Sequence, residues 1–387
     1  MGLSENIKYV GVDDLDIDLF EGQYVVPEGV TYNSYVILDE KTAVMDTVDA
    51  RKAEQWLNNV QNVLCGVIPD YLVLQHIEPD HAGCVKVIMD HMPNTKIVCS
   101  VAAQKMLAQF FDGESFLQNV VTVKEGDSLS LGKHTLNFYM APMVHWPEVM
   151  VTYESSEKVL FSADGFGKFG AACHEDGDWA CEARRYYFNI CGKYGVQVQA
   201  LLKKAAALDI QTICPLHGPV LTENLSYYIG LYDTWSKYEP ENEGVLVAYA
   251  SFHGNTEAAA LKLADILKQK GAKKVAVADL ARADMAEVIE DAFRYNAMVL
   301  AAPTYDGGMA TTMVDFLHHL KIKNFQNRKV GFIENGSWAP MAGKLMRAAA
   351  DEMKNMQTVE PVVTIKSTMK AADVKALEAL ADAILSK

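Results

Sequence analysis

The second part of the chain alternates strictly between short apolar segments and amphipathic helical segments. Consecutive strands that are separated by helices lie parallel, and a parallel sheet is stable when helices cover both of its faces. The pattern therefore predicts a doubly wound, five-stranded parallel sheet over residues 244–387. The predicted strands are at 245–249, 275–277, 298–301, 330–333 and 362–365, and the predicted helices are at 256–269, 285–293, 311–320 and 371–385.

Three loops follow strands of this sheet at the edge where doubly wound sheets bind their ligands. The first loop opens directly into a helix, whose N-terminal N–H groups and hydroxyls can bind a phosphate. It is similar to the phosphate loop of flavodoxins, except that His253 stands where a threonine is usual. Taken alone, Ser-x-x-Gly-x-Thr is also an ordinary helix-capping sequence. The loops are Ser251-Phe252-His253-Gly254-Asn255-Thr256, Pro303-Thr304-Tyr305-Asp306-Gly307-Gly308 and Glu334-Asn335-Gly336-Ser337-Trp338-Ala339-Pro340.

Glycines and aromatic residues in the last two loops favour a flat ligand. Glycine lets the backbone approach a ring closely, and Tyr305 and Trp338 can stack on it or contact its edge. Together with the phosphate loop, they predict an FMN site formed by 251–256, 303–308 and 335–338. FMN is favoured over FAD because no segment of these loops accommodates an adenylate.

The first part of the chain has clustered short strands, predicted for example at 32–38 and 42–46. Four of its apolar segments end just before residues that can bind metals. A buried strand places the residues that follow it at the rim of a sheet, where loops form a pocket. A single histidine there is usually a satisfied polar residue, but four histidines and three carboxylates are enough for two metal ions. These residues are His76, Glu78, Asp80 and His81 after 71–74, His145 after 136–140, Asp164 after 158–161, and His217 after 210–214.

This set resembles the metal-binding pattern of the metallo-β-lactamase superfamily, His-x-His-x-Asp-His followed by a distant His, an Asp and a final His. Glu78 replaces the second histidine of that pattern. With 63 residues between His81 and His145, and 18 between His145 and Asp164, the chain resembles the flavodiiron proteins, or A-type flavoproteins. The resemblance covers essentially the whole chain. It implies an α/β fold, with a metallo-β-lactamase-like αββα sandwich at 1–243 and a flavodoxin-like, doubly wound five-stranded parallel sheet at 244–387.

The resemblance also implies the metal and its ligands. Mixed histidine and carboxylate ligation suits iron, whereas the hydrolytic zinc sites of this superfamily contain more imidazole. Asp164 would bridge two irons. Tyr194 is a further candidate, because it could hydrogen-bond a metal-bound ligand, and a packing or surface role is equally open. The implied ligands are His76, Glu78 and His145 for one iron and Asp80, His81 and His217 for the other.

Counting electrons connects the two halves. Two ferrous ions and one reduced flavin hold four electrons, which matches the reduction of O2 to two waters, and two electrons suffice to couple two NO molecules to N2O. The expected function is therefore detoxifying reduction of O2, NO or both, with O2 slightly favoured.

In the family, the flavin of one chain meets the irons of another, which implies a head-to-tail homodimer or a dimer of dimers. The sequence has no rubredoxin segment and no nicotinamide site, so a separate donor is expected. The resemblance points to rubredoxin with its NADH-dependent reductase and leaves a deazaflavin donor open.

Composition argues against several other classes. The net charge of −15 argues against nucleic-acid binding. No unbroken apolar run approaches the roughly 18 residues of a membrane span, and the first residues lack the basic and apolar regions of a signal peptide. The seven cysteines contain no Cys-x-x-Cys pair, which favours reduced thiols and a cytoplasmic location.

Two rival functions fit parts of the sequence. One is a zinc-dependent hydrolase of the metallo-β-lactamase type, carrying a flavodoxin module as an electron carrier. The other is an electron carrier whose first half is a degenerate scaffold. All seven metal-binding positions are filled, which argues against the second rival.

Overall fold

A computed structural model describes residues 3–174 and 178–386. The chain divides into two compact units, one comprising residues 1–187 and 196–233 and the other comprising 188–195 and 234–387. Residues 234–243 are thus grouped with the second unit, and the domain boundary after residue 243 stays a prediction. No helix in the described ranges is long and apolar enough to span a bilayer.

The first unit is built on two sheets. Its strands are β1 (Ile7–Tyr9), β2 (Val12–Asp14), β3 (Leu19–Phe20), β4 (Tyr24–Val25), β5 (Val30–Tyr32), β6 (Tyr35–Ile37), β7 (Ala43–Met45), β8 (Tyr71–Leu74), β9 (Lys96–Ser100), β10 (Val120–Val123), β11 (Ser128–Ser130), β12 (Thr135–Met140), β13 (Met150–Glu154), β14 (Val159–Phe161) and β15 (Thr212–Cys214). Six strands pair in the order β1-β6-β7-β8-β9-β10 and five in the order β11-β12-β13-β14-β15, while β2 pairs with β5 and β3 with β4.

One apolar core joins these two sheets. Val73 and Val98 of the first sheet and Phe138 and Phe161 of the second belong to the same buried cluster. Such burial is the main source of stability in a sandwich. The helices up to residue 236 are α1 (Ala53–Leu64), α2 (Pro79–Ala82), α3 (Val85–His91), α4 (Val101–Phe110), α5 (Trp179–Ile190), α6 (Gly195–Ala205) and α7 (Leu225–Ser236). This is the predicted αββα sandwich.

The second unit contains the predicted parallel sheet, with strand order β17-β16-β18-β20 and with β21 and β22 both pairing with β20. The five predicted strands correspond to β16, β17, β18, β20 and β22. The order reverses at β16, where doubly wound sheets bind their ligands. The elements are β16 (Asn242–Tyr249), α8 (Asn255–Gln269), β17 (Val275–Asp279), α9 (Met285–Arg294), β18 (Tyr295–Tyr305), β19 (Gly308–Met309), α10 (Thr311–Ile322), β20 (Lys329–Asn335), α11 (Ala342–Asp351), β21 (Gln357–Thr358), β22 (Val363–Ile365) and α12 (Ala371–Leu385).

Two local predictions were wrong. The apolar segment 32–38 reads as one strand, but the chain leaves it at Asn33 and Ser34 to pass from β5 in a two-stranded sheet to β6 in the six-stranded one. Residues 303–305 were expected in a loop, whereas β18 continues to Tyr305. It continues because Thr304 and Tyr305 pair with Met309 and Gly308 of β19, in a hairpin that turns at Asp306 and Gly307, both with positive φ.

Candidate metal and cofactor sites

The seven predicted metal-binding residues lie together in the first unit. β8 ends at Leu74, two positions before His76, and the short helix α2 carries Asp80 and His81. Asp164 and His217 follow β14 and β15, which pair in parallel and therefore end at the same edge of their sheet. Potential ligand atoms form two groups, each within 4.8 Å: His76, Glu78, His145 and Asp164 in one, and Asp80, His81 and His217 in the other.

Asp164 lies between the two groups. Its Oδ2 is 3.3 Å from Nε2 of His76 and 3.3 Å from Nε2 of His145. Its Oδ1 is 3.3 Å from Nε2 of His81 and 3.8 Å from Nε2 of His217. Each oxygen of one carboxylate thus faces a different ligand group, which is the geometry of a bridging ligand.

Several buried atoms of this cluster make no hydrogen bond within the described residues. They are both carboxylate oxygens of Asp80 and of Asp164, both ring nitrogens of His81, and Nε2 of His217. Leaving a buried polar group unsatisfied costs about 1–3 kcal/mol. So many unsatisfied donors and acceptors converging on two points fit a pair of metal ions, and the mix of nitrogen and oxygen donors fits iron.

The charges in the cluster are strongly coupled. Burial lowers the pKa of His145, but Asp164 and Glu78 outweigh it and raise that pKa to about 9. Burial raises the pKa of Glu78, but hydrogen bonds from His145 and His76 outweigh it and lower that pKa to about 2. Burial also raises the pKa of Asp164, and the surrounding histidines hold it well below its usual value. Without metal, protons on the histidines therefore balance the carboxylates, and a bound cation would displace them.

Hydrogen bonds join the loop that carries His217 to β5 and to Asn33, the residue directly after it. Nδ1 of His217 donates to the carbonyl oxygen of Thr31 at 2.6 Å, and the N–H of Gly218 donates to Oγ1 of Thr31 at 2.6 Å. The Asn33 side-chain amide donates to the carbonyl oxygens of Pro215 and Gly218, both at 2.8 Å. Because these partners fix the ring, Nε2 of His217 faces Asp80.

In the second unit, the three predicted FMN loops lie at the ends of the neighbouring strands β16, β18 and β20. Residues 303–305 of the second loop belong to β18, and residues 334–335 of the third belong to β20. Gly254 caps the N-terminus of α8 with φ +81°, a conformation that favours glycine. The Ser251 hydroxyl beside it is buried and makes no hydrogen bond within the described residues. An unsatisfied hydroxyl next to the N-terminus of a helix fits a phosphate.

The other two loops expose aromatic side chains at the same edge. Trp338 is 82% exposed, and the rings of Phe252 and Tyr305 meet edge to face at 5.0 Å. Asn335 is held by two hydrogen bonds with Ser367, and Ser337 by one between the hydroxyls. Exposed aromatics on a fastened loop fit the ring of a flavin.

Two family models match the chain, an ODP family beta lactamase over residues 30–218 and a flavodoxin domain over 246–367. The nitric oxide reductase of Moorella thermoacetica is 30% identical, with 97% of this chain and 95% of that protein aligned. This chain belongs to the flavodiiron family. The rubredoxin-oxygen oxidoreductase of Megalodesulfovibrio gigas is 29% identical over 97% of this chain and 94% of that protein.

Solved structures agree with this membership. The rubredoxin oxygen:oxidoreductase from Desulfovibrio gigas matches this flavodiiron protein with a TM-score of 0.93 and 28% identity, over 99% of this chain and 97% of that one. The flavodiiron protein from Giardia intestinalis matches with a TM-score of 0.87 and 26% identity, over 98% and 95%. The predicted family and fold are confirmed, and the relatives support an oxidoreductase over the zinc hydrolase.

Sequence reasoning missed residues that support the cluster of this flavodiiron protein. Glu148 is buried and accepts hydrogen bonds from Nδ1 of His76 and the N–H of Ile77. Asp46 accepts from the N–H and the side-chain amide of Gln75, the residue before His76, and burial raises the pKa of Asp46 to about 6. A carboxylate inside or directly beside an apolar segment, as in 43–46 and 148–151, was the available signal.

Tyr194 is grouped with the second compact unit. It ends a 3₁₀ turn, Gly192–Tyr194, and its side chain is half-buried. Its ring lies under the Lys193 ammonium group, 5.9 Å from the ring centre. A role for Tyr194 in binding the substrate stays a prediction.

Proposed function

We propose that this flavodiiron protein reduces O2 to water, NO to N2O, or both, using two iron ions and one FMN per chain. The observation that carries the proposal is the Asp164 carboxylate, whose two oxygens face separate ligand groups and make no hydrogen bond in the described part of the chain. One iron would be held by His76, Glu78 and His145 and the other by Asp80, His81 and His217, with Asp164 shared.

Two ferrous ions and a reduced flavin would supply the four electrons that O2 needs, or the two that a pair of NO molecules needs. The protein's own residues would balance the charge of these groups, shield them and hold the flavin. The carboxylates of Glu78, Asp80 and Asp164 balance cationic charge inside a buried site. The Trp146 ring packs edge to face against His76 at 5.2 Å and thereby limits the access of water. Ser251 and the N-terminus of α8 would hold the FMN phosphate, with Tyr305 and Trp338 beside the ring.

Both gases are kept in the proposal because the relatives are named for both, one as a rubredoxin-oxygen oxidoreductase and another as a nitric oxide reductase. The first of these names favours rubredoxin as the electron donor. We further propose a head-to-tail homodimer, or a dimer of dimers, in which the flavin of one chain serves the irons of its partner, and a cytoplasmic location.

The test is to replace Asp164 by alanine. Asp164→Ala should lower the iron content below two per chain and abolish both O2 and NO reduction, because neither ligand group keeps its shared carboxylate, while the FMN absorbance stays unchanged. Asp39→Ala is the matched control, since Asp39 also binds a histidine, His134, but contacts none of the seven cluster residues in the described contacts. It should keep iron and turnover.

Wild-type turnover should be measured anaerobically with O2 and with NO in separate assays, and the metal content should be determined at the same time. Retained turnover in Asp164→Ala, or two zinc ions per chain with hydrolysis of a thioester or lactam, would contradict the proposal.

A further inference from the structure

Glu148 lies behind His76, on the side of the imidazole that faces away from the metal-binding cluster. Its Oε1 accepts a hydrogen bond from Nδ1 of His76 at 2.7 Å and from the backbone N–H of Ile77 at 3.0 Å. The residue is 1% exposed. The Ser100 hydroxyl donates to the Glu148 carbonyl oxygen at 2.8 Å, which fixes the backbone as well.

These contacts determine which nitrogen of His76 can bind a cation. The amide of Ile77 can only donate, so Oε1 is an acceptor whether or not the other oxygen of Glu148 carries a proton. Nδ1 of His76 must therefore carry a proton and donate it to Oε1. The lone pair of the neutral ring is then on Nε2, which faces Glu78 and Asp164 at 3.1 and 3.3 Å.

The two histidines of the other ligand group have weaker partners behind them. Nδ1 of His217 donates to a backbone carbonyl, that of Thr31. Nδ1 of His81 makes no hydrogen bond within the described ranges. A carboxylate behind an imidazole makes the ring a stronger donor than a neutral carbonyl does, because its charge favours the electron density that the ring gives to the metal. The two ligand groups are therefore unequal.

We propose that Glu148 is a positioning residue that fixes the tautomer of His76 and makes the His76–Glu78–His145 group bind its metal more tightly than the Asp80–His81–His217 group. The inference rests on the proposed metal centre. Glu148 would contact no metal itself and would act only through the imidazole ring of His76. Removing an outer partner of this kind typically lowers metal affinity by about 10- to 100-fold.

The test uses metal-free, full-length protein titrated with Co²⁺, whose visible absorbance reports each occupied group. Wild type should bind two ions in two separate steps. Glu148→Gln keeps the shape and an acceptor but removes the charge, so the tighter step should weaken by roughly tenfold and change its absorbance spectrum. Glu148→Asp, which keeps the charge, should recover part of the loss.

Glu154→Gln is the matched control, because Glu154 is equally buried in the same unit but accepts from the backbone N–H groups of Ser156 and Glu157. It should bind Co²⁺ like wild type. Equal binding by Glu148→Gln and wild type would overturn the inference while leaving the metal centre in place, and so would equal weakening in Glu154→Gln. If wild type bound no Co²⁺ at all, the proposed metal centre would fail first.

Discussion

His145 is one residue whose protonation links the candidate metal cluster to the stability of the metal-free protein. Its pKa is about 9 in the folded chain, against about 6.5 in an unfolded one. The folded state binds this proton more tightly, so the stability it contributes is complete below about pH 6.5 and is lost as the pH rises through about 9. Urea unfolding of metal-free protein across this range should show a falling free energy of unfolding.

His145→Gln should weaken this dependence, because one proton-binding group is gone. His76 and His81, whose pKa values the neighbouring carboxylates also raise against the effect of burial, would keep the rest of it. His91→Gln, at the exposed end of α3, should leave the dependence as in wild type. If His145→Gln and wild type lose stability in parallel as the pH rises, His145 is not among the groups responsible.

Some residues of the candidate site could be predicted from the sequence, and others could not. The seven cluster residues could be predicted because each follows an apolar strand, where an ionisable side chain has no place in a core. Glu148 stands beside an apolar segment and so carries a weak signal of its own, but its pairing with His76 could not be predicted. His76 lies 72 positions away, and the contact exists only after the two sheets have packed. Spacing identifies groups that meet at a rim, whereas a partner behind them depends on tertiary packing.

Helix α8 allows the phosphate site to be tested separately from the stability of the fold. Glycines with positive φ flank it, Gly254 (+81°) before its start and Gly271 (+89°) after its end. Alanine at either position should lower the free energy of unfolding by about 1–2 kcal/mol, because an L-residue is strained in that conformation. Only Gly254→Ala should also weaken FMN binding, by roughly tenfold if about 1.4 kcal/mol of the strain falls on the bound state.

Fluorescence titration of the FMN-free protein measures the affinity, and urea unfolding measures the strain. Gly271→Ala is the control, since it lies beyond the other end of the same helix. Equal loss of FMN affinity in both variants would mean that α8 merely unfolds more easily and that Gly254 has no special role.

Among whole elements, those with a strong period were predictable. The helices 371–385 and 311–320 and the five parallel strands follow directly from apolar spacing. The break between β5 and β6 was not predicted. Asn33 and Ser34 stand at the break, but they are buried like every other residue from Val30 to Ile37, so burial does not distinguish them from strand residues. The extension of β18 depends on its pairing with β19, and a two-residue strand has no periodicity of its own.

At the scale of the whole molecule, the proposed head-to-tail dimer predicts complementation between two inactive variants. Asp164→Ala lacks the shared carboxylate, and Gly254→Asp should exclude FMN because a carboxylate at the start of α8 repels the phosphate. In a heterodimer of the two, the flavin of the first chain faces the intact metal cluster of the second. One of the two active sites is then complete, so tagged and purified heterodimers should show about half the wild-type turnover.

The homodimers of each variant are the controls and should be inactive. Heterodimers that are equally inactive would mean that each chain uses its own flavin, or that no such dimer forms. The heterodimer experiment thus tests the proposed assembly, whereas the Asp164→Ala variant by itself tests the proposed chemistry.

The hydrogen bond between His217 and Thr31 joins residues 186 positions apart. A ribosome adds about 5–20 residues per second. His217 is therefore synthesised on the order of ten seconds after the four candidate ligands at residues 76–81. The candidate ligands at residues 76–81 can therefore contact cations before the hydrogen bonds between Thr31 and the loop of His217 have formed. We therefore expect the proposed metal ions to be selected by the folded protein, because only there is the complete set of ligands present.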